Sequence, residues 1–299
     1  MKTQKIIKIP RLNDGSNDFR KLFEIFDSVK ELNENIKFDF SLCVFLRPNA
    51  VAFLGGLARY IEYNEGIVSF DWNSCLDEKV IANIRQNGFA KAFGALQEPW
   101  TGESIPYRED KVVDANGIMD YLTDGWLKHE WVHMSKRLTD AIAGKMWEIY
   151  NNAFEHSETH IGVFSCGQHF KKEENVLFSV VDFGQGIPTK IRNYVANFDP
   201  VSAQKLPADA CLRWAFTRGN TTSIKEGVPR GLGLDLLKEF VQLNEGKLEV
   251  YSNEGYVRID KDGESYQNLQ GISFKGTIFQ INNMQSFENL INVVNNDVK

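Results

Sequence analysis

No run of about 18 apolar residues occurs in the chain, so nothing in it reads as a membrane-spanning helix. The start, MKTQKIIKIPRLNDG, lacks the long apolar stretch of a secretory signal. Cysteine is scarce. Cys43, Cys75, Cys166 and Cys211 stand far apart and form no C-x-x-C pair, which argues against a disulfide framework or a cysteine-based zinc site. Reduced thiols in a cytoplasm are expected instead. There is no excess of basic charge. The 34 Lys and Arg against 40 Asp and Glu give a net charge of −6, which argues against a general nucleic-acid-binding surface. Internal repeats and low-complexity tracts are also missing. What remains is ordinary for a globular protein, with 42% hydrophobic and 25% charged residues. At roughly 150 residues per domain, 299 residues make about two domains, each able to bury a core without staples.

The first third alternates strand and helix. Lys5 to Pro10 reads as a short strand, and Asp14 to Asp18 as a turn with capping residues. Phe19, Leu22, Phe23, Phe26 and Val29 then recur at helical spacing. Phe38 to Leu46 reads as a strand. Pro48 opens a helix with Val51, Leu54, Leu57, Ala58 and Ile61 on one face, ended by Gly66. IVSFDW is the next strand, and Asp77 caps a further helix that stops near Gly88. This order predicts a small α/β domain over 1–110. From Gln97 to about Asp124 the pattern is broken by Pro99, Gly102, Pro106 and Gly117, so 111–134 is read as a connecting segment and 135–299 as a second domain. In that second part a long helix is predicted from about Leu127 or Ser135 to Ser157. Strands are predicted at Ile161–Cys166, Val176–Asp182, Lys247–Ser252 and Gly276–Ile281, with a helix at Leu232–Leu243.

Three motifs carry chemistry. In EIYNNAFEHS, Glu148, Asn152 and His156 fall at i, i+4, i+8 on one helix face, with Glu155 beside them, while Ile142, Met146 and Ile149 can face a core. An amide oxygen there can ligate Mg²⁺, and the carboxylate can orient or deprotonate a nucleophile. The same face also reads as a solvated polar surface. In VVDFGQGIP an apolar strand runs into Asp182, followed by Gly184 and Gly186. A strand-end carboxylate can accept from an exocyclic amine such as that of adenine, and glycines let a ligand approach the backbone. An Asp-Gly turn is the competing reading. In RGLGLDLL, Gly231 and Gly233 open an amphipathic helix whose N-terminus can hold phosphates, with Arg218, Lys225 and Arg230 within reach. Neither a P-loop nor an early Rossmann fingerprint is present.

The order is a helix with E-x-x-x-N, a strand with D-x-G-x-G, an irregular stretch, G-x-G-L on a helix and a terminal Gly276-Thr277 strand. It resembles the GHKL ATPase superfamily of gyrase, heat-shock chaperone ATPases, histidine kinases and MutL proteins. The resemblance covers about Ser135 to Asn282. It implies the Bergerat fold, a two-layer α/β sandwich in which helices cover one face of a mixed sheet and ATP lies between them under a lid. By the same resemblance Asn152 is the Mg²⁺ ligand, and Glu148 is the base that activates water. Asp182 binds adenine, with Gly184 and Gly186 beside the base. Arg230, Gly231 and Gly233 serve the phosphates, and Thr277 lies near adenine. The lid corresponds to roughly Asn193–Pro229. The 1–110 segment, through FDFSLCVFLRPNAVAFLGGLARYIE, is similar in element order to STAS domains. The serine that such domains present for phosphorylation is replaced by Arg47-Pro48-Asn49.

His129-Glu130-Trp131-Val132-His133 is a literal H-E-x-x-H, the pattern of zinc hydrolases. It needs a third ligand, and the nearest downstream carboxylates, Glu148 and Glu155, lie inside the ATPase box. Only one helix reads as available between the boundary and Glu148, which argues against the dimerising hairpin that carries the phosphoacceptor of histidine kinases. The chain ends 18 residues after Ile281, too soon for the transducer domain of topoisomerases or MutL. The reading is a cytoplasmic, Mg²⁺-dependent ATP-binding protein with slow hydrolysis and a nucleotide-gated lid that controls a protein partner, with a homodimer left open. The alternative is an anti-sigma-type serine kinase acting on a STAS partner.

Overall fold

A computed structural model gives the structure and describes residues 4–31, 34–127, 136–173, 175–222, 233–243 and 245–282. Among them the strands form two sheets. The first unit runs β1 (Gln4–Lys8), α1 (Ser16–Val29), β2 (Asn35–Asp39), α2 (Pro48–Tyr63), β3 (Ile67–Asp71), α3 (Glu78–Gln86) and α4 (Phe89–Ala92). Its strands pair in parallel in the order β1-β2-β3. β2 ends earlier than the composition predicts, because the Asp39 carboxylate accepts the Ser41 N–H at 2.7 Å and turns the chain. Asp77 caps α3 as expected, accepting from Lys79 N at 2.9 Å and Val80 N at 3.1 Å.

The second sheet has the order β4-β5-β6-β10-β7-β8-β9. Its strands are β4 (Ser104–Asp110), β5 (Val163–Phe170), β6 (Asn175–Asp182), β7 (Lys247–Asn253), β8 (Gly255–Asp260), β9 (Gly263–Asn268) and β10 (Phe274–Asn282). The helices of this part are α5 (Ala115–Leu122), α6 (Lys136–His156), α7 (Ile187–Ala196), α8 (Pro200–Lys205), α9 (Ala208–Ala215) and α10 (Gly233–Leu243). Two expectations change. Ser104–Asp110, assigned to the first unit from the sequence, is instead the edge strand of the second sheet, paired with β5. Pro106 and the register shift between Ile105 and Arg108 are tolerated there because an edge strand leaves donors unpaired. The sheet is also antiparallel at every described pairing rather than mixed, since hairpins join β5 to β6 and β7 to β8 to β9, and β10 inserts between β6 and β7.

Both faces of this sheet are covered. On one face α5, α6 and α10 pack Ile118, Ile142, Met146, Ile149 and Leu237 against Val180, Val250 and Phe279. On the other, α1 and α2 of the first unit pack Phe19, Phe23, Phe26 and Phe53 against Phe183, Tyr251, Phe274 and Ile278. α2 is consequently buried on all sides from Pro48 to Ala58, not on one face only. It lies between the two sheets, and a helix without a polar face is the sequence consequence. Among the described residues no helix is long and apolar enough to cross a membrane.

Candidate active site

α6 divides its residues as the spacing predicts. Ile142, Met146, Ile149 and Tyr150 are fully buried in the core. Glu148, Asn151, Asn152 and Glu155 line a cavity of about 430 Å³, a volume suited to a small-molecule ligand. The strand ends of β6 and β10 supply Asp182 and Thr277, which face each other in register. α7 contributes Ile187 and Lys190, α9 contributes Trp214, and Asn220 to Thr222 close another side. Gly233 and Leu234 at the start of α10 complete the wall.

Asp182 lines the cavity and is only 2% exposed. Its Oδ1 accepts the Gly184 N–H at 2.9 Å, and the hydroxyls of Thr277 and Ser157 also bond the carboxylate. Burial outweighs these donors and pushes its pKa up to about 7. A ligand amine donating to this carboxylate would replace lost solvation and favour its ionised form. Ser252 supports the arrangement. Its Oγ lies 2.9 Å from Thr277 Oγ1 and accepts the Ile187 N–H at 2.8 Å. Asn253 fixes the loop before α7: its Nδ2 donates to Gln185 O, and its Oδ1 accepts from Thr189 N and Thr189 Oγ1, each at 3.0 Å. No motif announces Ser252 or Asn253. They become visible only through the β7–β10 register.

The glycines divide in role. Gly186 lines the cavity at φ +80°, and a Cβ there would meet the Asn253 amide at 2.6 Å. Gly184 does not line the cavity. A Cβ there would overlap the Ser157 carbonyl, so this glycine lets the loop close on the end of α6, where Gln185 N donates to Ser157 O at 2.7 Å. Gly233 faces Glu148, whose Oε2 lies 2.5 Å from where a Cβ would stand. Arg230 and Gly231 lie outside the described residues, as do Lys225 and the His129–His133 motif.

Glu148 is half-buried at the α10 end of the cavity, and burial raises its pKa above the usual carboxylate range. Lys145 opposes that rise and Glu155 adds to it. Asn152, one turn further along α6, presents a buried Nδ2 with no hydrogen-bond partner among the described residues. The amide therefore has free capacity, and rotation about its last bond exchanges nitrogen for oxygen. Among the described residues no cluster of three or more His, Cys, Asp and Glu side chains could cage a metal ion. A single amide oxygen beside space for phosphates does fit Mg²⁺, which keeps waters and takes most of its ligands from a nucleotide.

Six of the expected residues, Glu148, Asn152, Asp182, Gly186, Gly233 and Thr277, thus meet around one cavity. Residues 140–281 match the family described as histidine kinase-, DNA gyrase B-, and HSP90-like ATPase. No curated protein matches the chain. Residues 140–281, the part of the chain that holds this cavity, are thus similar to GHKL-type ATP-binding domains.

Proposed function

We propose that the chain is a cytoplasmic, Mg²⁺-dependent ATPase of low turnover whose nucleotide state sets a lid and, through it, the grip on a protein partner. The observation that carries this reading is the division of labour within one cavity. A deeply buried carboxylate, Asp182, and a half-buried carboxylate of raised pKa, Glu148, both line it. The first suits recognition of the adenine amine. The second suits a general base, which works best when its pKa approaches the working pH. Asn152 would hold Mg²⁺ together with the phosphates, and the bound ion would neutralise charge on them during transfer. Gly233, at the N-terminus of α10, brings backbone N–H groups toward the same place. Trp214 and Asn220–Thr222 on the far wall support a lid in this part of the chain. All four cysteines are free and buried, in keeping with a reducing compartment.

Glu148→Ala tests the reading, because it separates binding from chemistry. Affinity for Mg²⁺–ATP, read by calorimetry, should survive, while phosphate release should fall about 10²–10⁴-fold. An unchanged rate would refute the assignment of Glu148. Labelled phosphate appearing on a partner protein instead of in solution would convert the reading to a protein serine kinase. The first unit is a poor acceptor at its helix start, since Pro48 and Asn49 are buried and Asn49 Nδ2 donates to Asn13 O at 3.1 Å.

A further inference from the structure

The residue after Asp182 points the other way. Phe183 is 6% exposed and leaves the cavity for the opposite face of the sheet, where the first unit packs. Its ring centroid lies 5.4 Å from that of Phe53 on α2 and 5.9 Å from those of Phe26 on α1 and Tyr60 on α2. Phe274 of β10 meets it edge-on at 5.1 Å. α2 can come this close only because position 56 is glycine. A Cβ on Gly56 would overlap the Phe183 ring and lie 2.8 Å from the Phe164 ring. The Asp182 main chain is equally confined from β10. A Cβ on Gly276 would overlap the Asp182 carbonyl oxygen and lie 2.8 Å from the Phe274 ring. The strand end that presents the Asp182 carboxylate therefore sits between two close contacts, one from its own sheet and one from the first unit.

We propose that Phe183 is a positioning residue for adenine recognition, and that Gly56 of α2 sets its position, so that the N-terminal unit forms the back wall of the nucleotide site. The proposal rests on the reading that Asp182 receives the adenine amine. Asp182 and Phe183 are adjacent on one strand end, so displacing the ring by the ångström that a methyl group on α2 demands moves the carboxylate relative to Thr277. Hydrogen bonds to a charged acceptor weaken steeply with such misalignment. The residues assigned to the phosphates, Glu148, Asn152 and Gly233, lie on α6 and α10, apart from the ring cluster that holds Phe183. The effect should therefore fall on base recognition and spare the phosphates.

The test uses the full chain and two nucleotides. ITP lacks the exocyclic amine, so the ratio of ATP to ITP affinity isolates the Asp182 contact. In the unaltered protein ATP should bind about tenfold or more tighter than ITP, the usual worth of a hydrogen bond to a charged group. In Phe183→Leu and in Gly56→Ala, each first shown folded by circular dichroism, ATP affinity should fall about tenfold while ITP affinity holds. In the double variant the added methyl fills the space that the smaller side chain leaves, and the ratio should recover toward the starting value. A folded Phe183→Leu protein with the original ratio overturns the proposal, whatever the behaviour of Gly56→Ala. An unaltered protein that binds ATP and ITP equally would remove the adenine role of Asp182 and this proposal with it. If ATP still bound tightly, the general reading as an ATP-binding protein would stand.

Discussion

Replacing Asp182 with Asn should weaken nucleotide binding and yet stabilise the nucleotide-free protein. Burial carries the Asp182 pKa from an ordinary 3.8 to about 7, against the opposing pull of Gly184, Thr277 and Ser157. An unfolded chain releases this proton near pH 4, and the folded chain keeps it until about pH 7. Below both values the two states are protonated alike, and the site carries no penalty. As pH rises from about 4 to 7 only the unfolded state ionises, so this residue's contribution to stability is lost across that window. Above about pH 7 the deficit is constant. At about 1.36 kcal/mol per pH unit, the displacement amounts to about 4 kcal/mol. Asn has nearly the same shape, still accepts the Gly184 N–H, and has no charge to desolvate. Nucleotide-free Asp182→Asn should therefore unfold at a higher temperature than the unaltered protein at pH 8, and the two should converge toward pH 4.

Thermal unfolding at pH 4.5, 6 and 8 without nucleotide measures the first effect, and calorimetric titration with a non-hydrolysable ATP analogue the second. Loss of a charge-assisted acceptor for the adenine amine should weaken binding about ten- to hundredfold. In the unaltered protein that affinity should also rise with pH through about 7, as the carboxylate ionises, and the variant should lack this dependence. Two parallel stability curves would refute the burial argument. Unchanged affinity would show that Asp182 only holds the Gly184 turn.

Gly233→Ala should leave the fold intact, because Ala is the better helix former by about 1 kcal/mol. Its methyl group must displace the Glu148 carboxylate, so phosphate release at saturating ATP should fall about tenfold or more. Asn152→Ala should lower ATP affinity in Mg²⁺ buffer but not in EDTA, which calorimetry in the two buffers distinguishes. Arg59→Met should lower the midpoint of chemical denaturation by the equivalent of about 1.5–3 kcal/mol. Arg59 joins α2 to β4 through three bonds to Glu109 at 2.9, 3.0 and 3.1 Å, bonds Glu62 at 2.8 Å, and lies over the Phe93 ring at 4.4 Å.

The residues that line the cavity were legible in the sequence because their spacing is local. A helix with Glu148 and Asn152 one turn apart, and a strand that ends in Asp182 before two glycines, announce themselves by spacing alone. The residues that hold them in place do not. Asn253 and Ser252 act across the β7–β10 pairing, and nothing near them in the chain marks that role. β4 was hidden by Pro106 and by its charges, which an edge strand accepts. The helices α7 to α9 were hidden by their shortness. α8 has six residues and is capped by Asp199, which accepts from Val201 N and Ser202 N.

α2 offers the sharper lesson. Its apolar spacing fits a helix with one buried face, a reading that makes no use of Gly55 and Gly56. The informative feature is different: from Pro48 to Ala58 the helix has no charged residue. A helical stretch with no charged residue on any side has no solvent face, so it must have a layer on each face. Once the second layer is the ATPase sheet, the glycines mark the places where that sheet comes too close for a side chain. Gly55 stands against Tyr107 and Gly56 against Phe183. Both facts are present in the sequence, but they acquire a meaning only when the long-range partner is known. This is why the residues lining the cavity could be read from local spacing, and the layer behind them could not.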